Sequence, residues 1–284
     1  MNEQQAPKTP QSEFLRIRDQ YKQSSEKSGF NALIYGDFGT GKTFLLSTCP
    51  KPVLVHSFDP GGPLTLRKWV ESGEVMVEEF LPDVEGKVDA YVKWEKRFNQ
   101  LRKDGFFDHI GTYCIDSLTT MSEALMAAIM ARGFSKKEGP RKPYHEDIPT
   151  YVPQIQDYMI QQFTLRDLLM VCCGLPCNFI ATGHIDRAQD EVSGKIIATP
   201  MISGKYAQKI PLLFDEVYVT DVKESSRGLE YRLLTESTGM YRARSRLAAS
   251  YNLKKYEEPV IKDILKKCNY AHEDKPLFLD EPEQ

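Results

Sequence analysis

Short apolar runs alternate with longer amphipathic stretches through the first two thirds of the chain, a rhythm that predicts buried strands alternating with helices. Residues 32–35, 52–57, 74–80, 111–117 and 178–182 have the length and hydrophobicity of strands, most of them continuous enough to be covered on both faces. Between them, 88–102 places Tyr91, Trp94 and Phe98 at helical spacing, as core rather than cofactor contacts. Further helices are predicted over 119–131 and 154–173, with short ones at 43–48, which Pro50 stops, and at 64–70. From Gly183 the texture changes to short segments at 191–199, 214–220, 229–235 and 240–245, separated by turns with Gly or Ser, which predicts hairpins. A polar helix over 13–27, a loop over 133–150 and a last helix over 256–268 complete the pattern, and no internal repeat is found. The expected fold is α/β, with a mainly parallel central sheet flanked by helices and extended by antiparallel C-terminal hairpins. Its expected divisions are an N-terminal tail and helix (1–28), one main domain (29–250), and a C-terminal helix with an acidic tail (251–284).

Composition narrows the function. With 284 residues and 41% hydrophobic content the chain can bury a full core. A net charge of −3 supplies no global field toward nucleic acid or anionic membrane, so any DNA contact must come from local clusters. The six cysteines show no C-x-x-C pair or zinc spacing and read as buried free thiols. The chain has no signal-like start and no membrane-length apolar run, and is expected in the cytoplasm.

Candidate chemistry begins at residues 36–43. Gly36-Asp37-Phe38-Gly39-Thr40-Gly41-Lys42-Thr43 is a complete G-x-x-x-x-G-K-[ST] phosphate loop between a predicted strand and helix. Glycines let backbone N–H groups converge on a phosphate, Lys42 adds a mobile positive charge, and Thr43, followed by Phe44, offers a hydroxyl to Mg²⁺. The expected ligands are therefore ATP and Mg²⁺. Hydrolysis also needs a metal anchor, a group that orients water and a sensor of the terminal phosphate. Asp116, ending an apolar strand, is the candidate anchor with Thr43. Asp59, after the strand that follows the loop helix, is the candidate for orienting water, although Asp-Pro-Gly-Gly also reads as an ordinary turn. His184, closing the strand 178–182, is the candidate sensor or a plain surface histidine.

In this order, phosphate loop, acid after the second strand, Thr112-Tyr113-Cys114-Ile115-Asp116-Ser117, Phe179-Ile180-Ala181-Thr182-Gly183-His184 and terminal hairpins, the chain resembles the RecA-like recombinase ATPases. It is similar in particular to a phage-encoded branch of single-strand-annealing or nucleotide-binding ATPases with an AAA-type domain, over about residues 30–250. Ile202-Ser203-Gly204-Lys205, Phe214-Asp215-Glu216-Val217-Tyr218 and Tyr231-Arg232-Leu233-Leu234-Thr235 share that likeness. The resemblance implies ATP-driven DNA recombination or annealing in the cytoplasm of a host cell. It also implies self-association into a ring or filament, single-stranded DNA as a partner, and a possible link to a single-strand-binding protein. Where Asp59 and His184 stand, recombinases carry glutamate and glutamine.

The resemblance further implies that basic residues of Arg242-Ala243-Arg244-Ser245-Arg246, chiefly Arg244 and Arg246, reach the nucleotide of an adjacent subunit. By strand alternation the three arginines share one face, either opposite an anion or as a solvated, charged edge. The segment holding Lys136, Lys137, Arg141, Lys142 and Tyr144 mixes cations with aromatics and is the candidate DNA loop, or a plain solvated one. Residues 185–199, with Arg187 and Lys195, make a weaker second segment. A different motor class is disfavoured because Ser117, not Glu, follows Asp116. A nucleotide-gated DNA-binding module with little turnover stays open.

Overall fold

The computed structural model describes residues 9–27, 29–82, 88–133, 140–145, 150–189, 194–202, 207–226 and 228–278. After helix α1 (Pro10–Lys27), strands and helices alternate: β1 (Asn31–Gly36), α2 (Lys42–Leu46), β2 (Val53–Ser57), α3 (Arg67–Glu71), β3 (Val75–Glu79), α4 (Ala90–Lys103), β4 (Thr112–Asp116), α5 (Leu118–Arg132), α6 (Ile155–Cys173) and β5 (Asn178–Gln189). The remainder comprises β6 (Ile196–Pro200), β7 (Glu216–Ser225), β8 (Gly228–Leu234), β9 (Arg244–Ser245), α7 (Ala248–Tyr251), β10 (Tyr256–Glu257) and α8 (Ile261–Lys267).

These strands form one sheet in the order β10-β8-β7-β1-β5-β4-β2-β3, with β6 added to β5 and β9 to β7. From β3 to β7 neighbouring strands on this path run parallel, while β8 and β10 are antiparallel to their neighbours. β7 is the joint: it pairs parallel with β1 on one side and antiparallel with β8 on the other. The expected parallel sheet with antiparallel extension is therefore present.

Side-chain alternation divides the core. Leu33 and Tyr35 of β1, Leu54 of β2, Tyr113 and Ile115 of β4, and Phe179 and Ala181 of β5 pack with α4, α5 and α6 on one face. Ala32 and Ile34, Val53 and Val55, Cys114, and Ile180 pack with α2 and α8 on the other. Strands covered on both faces have no polar side to show, which is why they read as continuous apolar runs. Leu253, Ile261, Ile264 and Leu265 join the second face, so the chain after residue 250 is built into the same core.

Two expected elements differ. Residues 256–268 do not form one helix: Tyr256 and Glu257 pair with Leu234 and Leu233 of β8, and α8 starts only at Ile261. Pro259 is the cause, since the residue before a proline is pushed toward extended backbone. The strand expected over 240–245 shrinks to Arg244–Ser245, because Ser245 Oγ accepts from Leu247 N and Ala248 N and turns the chain into α7. Arg242, Arg244 and Arg246 therefore do not form an extended charged face.

Candidate nucleotide site

Strand register sets the site. Gly36 lies level with His184, and Ser57 with Asp116, so the carboxyl ends of β1, β2, β4 and β5 open into one crevice. Ligands of open α/β sheets gather at such ends.

The phosphate loop rises from β1 into α2. Gly39 and Gly41 take φ of +71° and +85°, where side-chain-bearing residues are strained. Gly36 is needed for another reason: a Cβ there would lie 2.1 Å from Thr220 Oγ1, so β7 rather than an anion demands glycine. Thr40 Oγ1 donates to Asp37 O and shares a 2.7 Å hydrogen bond with Thr220 Oγ1, which ties the loop to β7. Asp37 points outward to a two-pronged pair with Arg187, and that guanidinium holds its carboxyl below the ordinary value. The arginine of the weaker DNA segment is thus engaged with the loop.

Lys42 folds back inside the loop, its Nζ donating to Asp37 O at 2.6 Å and Gly36 O at 3.1 Å. Burial lowers its pKa, against the pull of Asp116, Asp59 and Asp37.

Asp116 is buried at the end of β4. Its Oδ2 accepts from Thr43 Oγ1 at 2.8 Å and its Oδ1 from Thr182 Oγ1. Burial raises its pKa because these hydroxyls and Lys42 only partly compensate the lost solvation. An oxygen donor set with an under-compensated carboxylate suits a hard cation. No group of three or more His, Cys, Asp or Glu side chains among the described residues could hold a metal unaided, so Mg²⁺ here would complete its shell with phosphate and water oxygens. Thr43 and Asp116 are the residues that would hold it.

Across the crevice, Asp59 Oδ1 accepts from Ser117 Oγ at 3.0 Å and from Thr120 Oγ1, while Oδ2 lies 3.3 Å from His184 Nε2. Burial opposes ionisation of Asp59, but the donors His184, Thr120 and Ser117 outweigh it and hold the pKa below the ordinary value. His184 itself is placed by a hydrogen bond from its backbone N–H to Thr119 Oγ1. It lies within β5, which continues past residue 182 to pair with β6, rather than at a strand end.

The phosphate loop, Asp59, Asp116 and His184 line one cavity of about 950 Å³, together with Thr120, Tyr231 and Pro259. Phe38 and Phe44 form exposed parts of its wall. Sequence reasoning missed Ser117, Thr120 and Thr182. The signal lay in Thr119-Thr120 one turn after Asp116, but hydroxyl residues are too common to single out.

Other expected residues lie elsewhere. Arg244 Nη2 donates to Phe214 O at 2.7 Å and Pro211 O at 3.0 Å, and Arg246 Nη1 pairs with Asp215 at 2.7 Å. Arg244 pairs with Val217 at the amino end of β7, and neither arginine lines the cavity of its own chain. Arg141 makes two 2.8 Å hydrogen bonds to fully buried Asp157, the capping-box residue of α6, so its position serves that helix start. Lys142 and Tyr144 are exposed, and Lys136 and Lys137 lie outside the described residues. No described helix is long and apolar enough to cross a membrane, and all six cysteines are free thiols.

Comparison with curated proteins gives no match. Among solved structures the chain is similar to a KaiC-like protein of the hyperthermophilic archaeon Pyrococcus horikoshii OT3, with 14% identity over 77% of this chain and 82% of that one, and a TM-score of 0.38. A family model described as AAA domain matches residues 28–247, spanning every strand and helix that lines the crevice except the Pro259 turn. With the phosphate loop, the parallel sheet and the converging acids, that match shows that the chain belongs to the AAA domain family and is a P-loop ATPase.

Proposed function

We propose that the chain binds ATP with Mg²⁺, hydrolyses it, and uses the cycle in DNA recombination or single-strand annealing. The observation that carries the nucleotide part is the Thr43–Asp116 hydrogen bond, facing the Asp59–His184 pair across one cavity. When bound, Mg²⁺ would offset negative charge on the outer phosphates. Loop amides and Lys42 bind the phosphate chain; loop carbonyls hold two of the three ammonium donors of Lys42, and the third is left for a phosphate oxygen. Asp59 orients the attacking water. Its carboxylate is a weak base because three donors already satisfy it, so positioning rather than proton removal is its contribution. His184, beside Asp59 in the same cavity, is the residue assigned to contact the terminal phosphate.

That weak basicity also favours a second reading, in which turnover is slow and the nucleotide serves mainly to hold subunits together. Resemblance to recombinases supports assembly with the nucleotide at a subunit boundary. Arg246 is then the better candidate for reaching a neighbour's phosphates, since it gives up one exposed partner where Arg244 gives up two carbonyls. Support for DNA contact is the exposed pair Lys142 and Tyr144, with Lys136 and Lys137 in the same segment.

Steady-state phosphate release tests these points. Magnesium-dependent release stimulated by single-stranded DNA is expected, and tight ATP binding without release selects the second reading. Neutralising Lys136, Lys137 and Lys142 should weaken single-strand binding and flatten its salt dependence. Unchanged affinity removes that segment from the DNA site.

A further inference from the structure

The phosphate loop divides its cavity into two unlike halves. Asp59, Asp116, Thr120 and His184 come from segments around β2, β4 and β5, on one side of β1 in the sheet. On the other side stand Tyr231 of β8 and Pro259 of the turn before α8, both uncharged and both presenting ring surface. Tyr231 lies over the loop itself: a Cβ on Gly41 would meet its Cδ1 at 3.5 Å. Its side chain is nonetheless 44% exposed. Pro259 is fixed from both flanks, by the pairing of Glu257 with Leu233 and by the 2.9 Å hydrogen bond from Ile261 N to Thr48 Oγ1 just past α2.

A phosphate chain on the loop must direct its terminal phosphate to the half that holds Asp59 and Asp116. The remainder of the ligand then extends toward Tyr231 and Pro259. We propose that Tyr231 and Pro259 form the nucleobase subsite, taking an aromatic base by stacking and favouring the larger face of a purine over a pyrimidine. This rests on the phosphate-loop reading given above. Stacking on an aromatic ring needs no hydrogen-bond code, so the ring faces of Tyr231 and Pro259 toward the nucleotide cavity suffice, although charged side chains such as Glu230, Arg232 and Glu258 flank them on the neighbouring surface.

Calorimetric titration of the full chain with magnesium and ATP, CTP or inorganic tripolyphosphate tests the subsite. Tyr231→Ala is expected to weaken ATP binding about tenfold or more, the size of a base–aromatic contact. It should leave tripolyphosphate affinity unchanged and erase the preference for ATP over CTP, while Tyr231→Phe stays near wild type. Equal weakening of ATP and tripolyphosphate in Tyr231→Ala would show that the ring only supports the loop, and unchanged ATP affinity would place the base elsewhere. Either result overturns the proposal. Wild-type protein that bound neither ATP nor tripolyphosphate would instead overturn the phosphate-loop reading, and this one with it.

Discussion

Thr43 and Asp116, 73 positions apart in sequence, share a 2.8 Å hydrogen bond that joins the start of α2 to the end of β4. The threonine donates, and the carboxylate is left buried with less compensation than it lost on leaving water. A carboxyl whose folded pKa is raised contributes stability below its unfolded pKa and loses it as pH rises through the folded pKa. At neutral pH the ligand-free protein therefore carries a cost at Asp116. Asp116→Asn is expected to raise the Tm of ligand-free protein, by about 2–4 °C for each kcal/mol relieved, and to lose magnesium-dependent phosphate release. A lowered Tm in thermal denaturation contradicts the electrostatic reading of this residue.

Asp59→Asn keeps an oxygen that can accept from Ser117 and Thr120, so folding and ATP binding should persist. Turnover should fall by roughly 10²-fold, the scale lost when a reacting group is misplaced. Single-turnover phosphate release, read beside ATP affinity, separates the two effects. Wild-type turnover would move the water-orienting role to another residue.

His184, with the hydroxyls of Thr120 and Ser117, keeps the Asp59 pKa below its ordinary value despite its burial. Thr120→Val removes one donor and leaves the burial, so the Asp59 pKa should rise and the acid limb of the pH–rate profile should move to higher pH. The stability that ionised Asp59 contributes is present above its unfolded pKa and is lost as pH falls through its folded pKa, below 3.8. In Thr120→Val that loss should begin at higher pH. An unmoved acid limb would detach Thr120 from the chemistry.

Arg141→Ala leaves Asp157 buried without its guanidinium and should cost about 2 kcal/mol, the scale of a lost charged hydrogen bond. Urea denaturation measures it. Lys142→Ala should leave stability unchanged, and any loss of single-strand affinity in that variant alone assigns the DNA role to Lys142 rather than to its neighbour.

How much of this was legible in sequence depended on how local the signal was. The phosphate loop could be read whole because backbone geometry dictates glycine at 39 and 41 within one octapeptide. Asp59 and Asp116 could be singled out because apolar runs mark strands and their carboxyl ends mark the crevice, whereas His184 was singled out at an expected strand end that the fold carries on to Gln189. Thr120, Thr182, Tyr231 and Pro259 acquire their positions only through sheet order, which no local pattern encodes. Arg141 and Arg244 looked like free cations in the sequence, yet the fold gives one a buried carboxylate and the other two carbonyls. Sequence reasoning assigned Gly36 to the anion along with Gly39 and Gly41, whereas its lack of a side chain is required by Thr220 of β7, whose Oγ1 would lie 2.1 Å from a Cβ there.

The most direct measurement is calorimetric titration of ATP into wild-type and Lys42→Ala protein, with and without magnesium. The account predicts saturable binding in the wild type that strengthens with magnesium and weakens at least about tenfold to a hundredfold in Lys42→Ala, as loss of a charged phosphate contact requires. Absence of binding in the wild type, or equal binding in both proteins, would contradict it.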